Sequence, residues 1–455
     1  MPTSHALSTR RIKTEFRALF QIGGPIAVTQ LAHNGISVAD TLMAGQVSPQ
    51  DLAGVAVGAS IWIPLFLFMT GVIIATTALV SHAFGGGRHE LIVRLVRQSA
   101  WMALALAIGA IALCRAAPFY LSWFQLAPAV QEVAQGYLRG ISWGAPAIAL
   151  YQVLRCYCEA QTDTRSVMVL TLIALAINIP ANYLLIHGGL GIPALGGAGC
   201  GYATALVMWI SLGLMIGYIH CSKRYRHHDL FGRLEAPERT QLNELFRLGL
   251  PIGLAIFFEA GLFCAATLAL APFGAVPIAA HQIALSITSL TFMIPLSIAM
   301  ATTVRVGNLL GQTQPAEARF SSFCAICLGL GFAVVTASII IFLRGTIASW
   351  YSPDVLVQHM AGQILLIAAF FQFSDAIQVT CSGALRAYKD TRVIMLITLF
   401  AYWFIGFPVG LWLGHTGPVA TLQGATGLWV GLAIGLTTAA LLLLHRLNRR
   451  SRVAG

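Results

Sequence analysis

Residues 246–271 read FRLGLPIGLAIFFEAGLFCAATLALA, and beyond Arg247 the whole stretch holds one charge, Glu259. A run of this length can cross the hydrocarbon core of a bilayer, which takes about 20 helical residues. In lipid the backbone N–H and C=O groups have to be satisfied within the segment, so the run reads as helix. Its opening, Phe246-Arg-Leu-Gly-Leu-Pro251-Ile, matches an earlier opening, Phe20-Gln-Ile-Gly-Gly-Pro25-Ile. Two further pairs follow in the same order: Phe68-Met69 with Phe292-Met293, and Asp163-Thr164-Arg165 with Asp390-Thr391-Arg392. All are offset by roughly 225 residues, the mark of an internal duplication.

The rest of the chain extends this pattern. Its 455 residues are 57% hydrophobic and only 9% charged, whereas soluble domains carry about 25% charge. Apolar runs predict twelve helices, at 16–43, 52–83, 92–115, 130–155, 165–187, 197–220, 244–272, 278–309, 318–343, 357–384, 391–413 and 424–445. The polar break at 221–243 holds Lys223, Arg224, Arg226, Arg233 and Arg239 and reads as a cytoplasmic linker. The expectation is an all-α integral membrane protein with twelve transmembrane helices in two pseudo-two-fold-related six-helix bundles. The N-terminal lobe is 1–220 and the C-terminal lobe 244–455. Because each half has an even number of spans, the repeat axis should lie along the membrane normal, with a cavity between the halves.

Orientation follows from the basic residues. Assigning alternate connections to opposite sides puts about 24 of the 27 Lys and Arg on one side, leaving Arg115 and Arg344 opposite and Arg139 within a span. The positive-inside rule then places both termini in the cytoplasm of a bacterial inner-membrane protein. The same scatter explains the net charge of +11 without nucleic acid, which needs a clustered basic face on a soluble domain. The nine cysteines show neither a disulfide framework nor metal-ligand spacing, and read as small buried hydrophobes. No GxxxxGK[ST] loop is present, and Gly85-Gly86-Gly87 lacks the lysine and the strand–turn–helix context of a phosphate cradle. Transport would therefore run on an ion gradient, with no ATPase partner and no cofactor beyond Na⁺ or H⁺. A membrane enzyme would need a nucleophile–base or metal constellation, and none is evident.

Three acids fall well inside apolar runs: Asp40, Glu259 and Asp375. Each costs about 2.5–3.5 kcal/mol at a helix centre on insertion scales, so each marks a functional site by default. Glu259 lies roughly 20 Å along its helix from the cytoplasmic end, and Asp375 at a similar depth from the opposite end of its own. Asn178 and Asn182, spaced i, i+4 around Pro180, turn both amides one way and form a polar patch that could face Asp40. His281 reads as a hydrogen-bonded wall residue, while Gln282 could meet a ligand. Phe257, Phe258, Phe263, Phe370 and Phe371 lie near the second-half acids, and carboxylate with aromatic suits a hydrophobic cation.

These segments together resemble the multidrug and toxic-compound extrusion (MATE) family, in its NorM branch, over nearly the whole length. The telling ones are Val38-Ala-Asp40-Thr-Leu-Met-Ala-Gly45, Asn178-Ile-Pro180-Ala-Asn182 and Gly196-Gly-Ala-Gly-Cys200-Gly201. In the second half they are Phe257-Phe-Glu259, Ala279-Ala-His281-Gln282, Asp375-Ala-Ile-Gln378 and Leu385-Arg-Ala-Tyr-Lys389-Asp390. The resemblance implies a monomeric antiporter, seated in the lipid bilayer, that exports small organic cations and drugs in exchange for Na⁺ or H⁺. It implies a cation site at Glu259 and Asp375, able to take Na⁺, and a first-half site at Asp40, Asn178 and Asn182. Asp40, Gln282 and Phe371 are the expected substrate contacts. Phe371 departs from the sodium-coupled pattern, which has a tyrosine one turn before the acid. The alternative within the same superfamily is a lipid-linked precursor flippase, which would carry basic rather than acidic residues in its cavity.

Overall fold

The computed structural model describes residues 4–124, 126–189, 191, 193–226, 228–232, 235–416 and 423–453. Among the described residues twelve long helical units follow in chain order. They are α1 (Ser4–Gly45), α2 (Pro49–Gly85), α3 (His89–Arg115), α4 (Pro128–Ser142 with Ala145–Ala160), α5 (Thr164–His187) and α6 (Ala198–Cys221). The second half gives α7 (Arg239–Ala269), α8 (Ala275–Gly311), α9 (Pro315–Tyr351), α10 (Val355–Ala387), α11 (Thr391–Thr416) and α12 (Ala425–Val453). Among the described residues ten are long and apolar enough to cross a membrane. The other two are α1, whose apolar run carries Gln21, Gln30, His33, Asn34 and Asp40, and α4, broken at Trp143-Gly144 into pieces of 15 and 16 residues. Large apolar side chains point outward, with Leu268 at 76% and Phe342 at 84% exposure, a surface that only lipid can cover.

Compactness divides the chain inside two helices rather than at the polar break. One unit comprises Val28–Gly253; the other comprises the chain up to Ala27 with Leu254 onward. The crossing points lie just after Pro25 in α1 and Pro251 in α7. A proline inside a helix lacks the N–H that would bond the carbonyl four residues back, and it kinks the helix there. The duplicated Gly–x–Pro signature thus marks where each helix passes from one unit to the other.

Each unit is held by a glycine ridge of period four. In the Val28–Gly253 unit, Gly136, Gly140 and Gly144 on α4 face Ala198, Gly201, Tyr202 and Ala205 on α6, and a Cβ on Gly201 would meet the Tyr137 carbonyl at 2.3 Å. In the other unit, Gly406 and Gly410 on α11 face Gly431 and Gly435 on α12, and a Cβ on Gly431 would sit 2.2 Å from the Gly410 backbone. Lipid tails are as apolar as leucine, so helices in a bilayer associate by close packing through such small residues. Gly431→Val should therefore destabilise by about 3 kcal/mol or more, because backbone rather than a flexible side chain has to move. Gly213→Val, whose Cβ meets nothing within 4 Å, should leave the protein unchanged; thermal melts of the two variants in detergent compare them directly.

The polar break is not a loose tether. It lies along α3, where the Arg97 guanidinium donates to the carbonyls of Leu230 and Asp229 and to Glu235, at 3.1, 2.8 and 2.6 Å. The Gln98 amide donates to the Ala236 carbonyl at 2.9 Å, its oxygen accepts from the Glu238 N–H at 2.8 Å, and Trp101 Nε1 donates to Glu235 O at 2.9 Å. Asp163, in the α4–α5 turn, fixes the other end by accepting from Ser166, Tyr218 and Tyr225, each at 2.7 Å. Burial alone would raise its carboxyl pKa, but the hydroxyls of Tyr225, Ser166 and Tyr218 outweigh burial and hold it below the ordinary value. A lowered folded-state pKa gives stability that is present above the unfolded value and lost as pH falls through the folded one. Asp163→Asn should cost about 1–3 kcal/mol at neutral pH. Its deficit against the parent should shrink in melts run below about pH 4. The duplicated Asp390, in the other unit, accepts instead from Arg446 Nε at 2.7 Å.

Candidate cation-binding sites

In the Val28–Gly253 unit, α1 carries Asp40 into a position where only 7% of the residue is exposed. Its carboxylate accepts from Asn182 Nδ2 at 2.6 Å and Asn178 Nδ2 at 3.3 Å through one oxygen, and from Thr204 Oγ1 at 2.8 Å through the other. The Asn pair at i, i+4 on α5 turns toward α1, as its spacing predicts. The sequence did not single out Thr204. It stands one turn beyond Cys200, whose Sγ reaches the Asp40 carbonyl at 3.6 Å, so both face α1 from α6. The amide oxygens of Asn178 and Asn182 are buried without partners. A carboxylate beside two unpartnered amide oxygens is a set of acceptors lacking a positive group.

Asp40 lines a cavity of about 170 Å³. His33, seven residues earlier on α1, returns to nearly the same helix face and lines it too, with Trp62, Phe66, Tyr137 and Tyr151. Charge and aromatic faces together are what attract an organic cation, and they meet here beside Asp40. One turn before His33, Gln30 accepts from Arg155, which also pairs with Glu159 at 2.7 Å. Arg155, which the charge tally counts among the basic residues of the cytoplasmic side, is buried within α4.

In the other unit Asp375 on α10 is 3% exposed and Glu259 on α7 is half-buried. The two are close enough for their charges to interact, and Glu259 is likewise within reach of Arg386. Arg386, expected in a cytoplasmic connection, is buried at the end of α10. Tyr402 on α11 lies within electrostatic reach of both acids. Neither Tyr402 nor Arg386 is among the site residues expected from the sequence. The backbone around Tyr402 is a π-helical segment, Phe400–Gly406, of the kind that interrupts helices at functional positions; the readable hint was Pro408, which denies Phe404 its helical partner. Trp403 Nε1 donates to Phe258 O at 3.1 Å and ties this segment to α7 beside Glu259.

The remaining expected residues fall in the same unit. His281 is a wall residue: Trp429 Nε1 donates to its Nδ1 at 3.0 Å, and its Nε2 is 3.0 Å from the Thr267 hydroxyl. Phe371 packs edge-on against Trp429, ring centroids 6.0 Å apart, within the core of its unit. Gln282 is exposed, as are Phe257 and Phe370.

Comparison with known proteins adds an independent line. The MatE family model matches residues 25–184 and again 251–412, so the duplication read from three short pairs covers most of both halves. The multidrug resistance protein PmpM of Pseudomonas aeruginosa is 45% identical over 99% of this chain and 94% of its own length. The multidrug resistance protein MdtK of Photorhabdus laumondii is 42% identical over 95% of each. Among solved structures, the eukaryotic MATE transporter AtDTX14 superposes with a TM-score of 0.86 at 20% identity, covering 98% of this chain and 99% of its own. An outward-facing MATE family multidrug resistance transporter gives 0.86 at 19% identity over 96% of each.

Proposed function

This chain belongs to the MatE family, and from that premise we propose that it is a multidrug exporter, a transporter rather than an enzyme. It expels organic cations by alternating access in exchange for Na⁺ or H⁺. The observation that carries this is the Asp40 cavity: a buried carboxylate held by three donors, lined by four aromatic rings. The same lining argues against a lipid pyrophosphate as cargo, since it holds an acid and no Lys or Arg.

The exchange follows from charge at low dielectric. A carboxylate sheltered from water is stable either neutralised by an inorganic cation or paired with an organic one, and binding one weakens the hold on the other. Glu259 and Asp375 with Arg386 carry one net negative charge, so a single monovalent cation balances that cluster. One charge crossing 100 mV supplies about 2.3 kcal/mol, and each pH unit adds about 1.4. The basic connections would face the cytoplasm of a bacterial inner membrane, and the chain works as a monomer.

Cells expressing the protein should expel ethidium faster than vector controls. Export should stop when a protonophore and a sodium ionophore collapse both gradients while ATP is held constant. Export that survives the collapse would rule the reading out.

A further inference from the structure

The two acid clusters are satisfied unequally. Asp40 accepts three side-chain hydrogen bonds, whereas neither Glu259 nor Asp375 accepts one from any described residue. Gln378 Oε1, Arg386 Nε and Tyr402 Oη are among the buried polar atoms of the same unit that lack partners. Gln378 stands at i+3 from Asp375, the neighbouring position on that helix face. Tyr402 is 2% exposed, and the hydrogen bond from Trp403 to Phe258 O sets it beside Glu259. A buried hydroxyl left without a partner costs about 1–3 kcal/mol. Such orphans in native proteins ordinarily meet water or an ion. Here the Tyr402 hydroxyl lies within electrostatic reach of both carboxylates, in a helix turn widened to π geometry at the tyrosine itself.

Phe371 sharpens the point. Its ring is committed to Trp429, and it has no hydroxyl to offer the acid one turn away. Tyr402 approaches the same two acids from α11 and has one.

We propose that Tyr402 is a cation-site residue: its hydroxyl, with Gln378 Oε1, completes the coordination of the coupling cation between Glu259 and Asp375. The inference rests on the exchange reading above. The shared chemistry is oxygen ligation of a small monovalent cation. For Na⁺ the hydroxyl is a ligand, and for H⁺ it is the hydrogen-bond donor that steadies the carboxylate after the proton leaves.

The test is direct binding to the purified full chain, read by intrinsic tryptophan fluorescence, since Trp403 is adjacent to Tyr402 in sequence. Na⁺ is titrated at fixed pH in one arm, and pH is titrated without Na⁺ in the other. Tyr402→Phe should raise the half-saturating Na⁺ concentration about tenfold or move the pH midpoint by about one unit. Its melting temperature should stay within a few degrees of the parent's. Gln378→Met, similar in volume, should shift the same arm in the same direction, giving a second route should the first variant fold poorly. A midpoint within twofold of the parent's in both arms, or a parent signal that neither cation moves, overturns the assignment. Ethidium transport by the parent is measured separately, so a failure of the exporter reading is distinguishable from a failure of this one.

Discussion

Asp375→Asn and Glu259→Gln should each cut gradient-driven ethidium export about 100-fold or more, to the level of vector controls. Each acid costs roughly 2.5–3.5 kcal/mol to keep charged at the membrane centre, and it gains no compensating hydrogen bond from any described residue. At about 1.4 kcal/mol per decade, a site that retains so costly a group without a use for its charge would be unusual. The amides preserve shape but can neither release a proton nor hold a cation by charge. The two variants should differ in stability, and that difference separates function from structure. Asp375→Asn removes a buried, unbonded charge and should melt at or above the parent temperature. Glu259→Gln leaves the Arg386 guanidinium without the acid in its reach, so it should melt lower. A variant that loses export while gaining stability has lost chemistry, not fold. Export assays and thermal melts on the same preparations check both halves.

Asp40→Asn should raise the half-saturating ethidium concentration about tenfold or more and lower stability by about 1–3 kcal/mol. The first effect comes from removing the charge that faces the cation in the aromatic cavity; a desolvated charge–cation contact is worth about 1.5–3 kcal/mol. The second comes from the donors. Asn178, Asn182 and Thr204 all point at this carboxylate, and an amide in its place has one acceptor oxygen and two N–H groups that clash with incoming donors. Thr204→Val, which removes a single donor, should show a smaller loss of both kinds. Initial-rate ethidium transport across a concentration series gives the first quantity and a detergent melt the second.

What was legible in the sequence was whatever a single segment displays. Asp40, Glu259 and Asp375 were visible because a charge in an apolar run has no other reading, and Asn178 with Asn182 because their spacing fixes one helix face. The duplicated Phe20–Ile26 and Phe246–Ile252 segments announced two related halves. They did not announce that the compact units change over inside α1 and α7, since a proline kink carries no sign of which neighbours each side packs against. Thr204 is not legible because threonine is ordinary in membrane helices and only its aim toward α1 distinguishes it. Arg386 and Tyr402 belong to the Glu259 cluster through charge interactions across more than a hundred residues, and the π turn that presents Tyr402 has no reliable sequence signature. The polar stretch at 221–243 reads only as a linker because most of its anchors are backbone groups such as the carbonyls of Leu230, Asp229 and Ala236, which every residue possesses.

Coupling itself is tested most directly by reciprocity. Purified protein is reconstituted into liposomes without ATP, an outward ethidium gradient is imposed, and internal pH and Na⁺ are followed with fluorescent reporters. The account predicts that ethidium leaving drives one of the two cations inward against its equilibrium, and that Asp375→Asn abolishes this flux. Ethidium leaving at the parent rate with neither cation moving would contradict it.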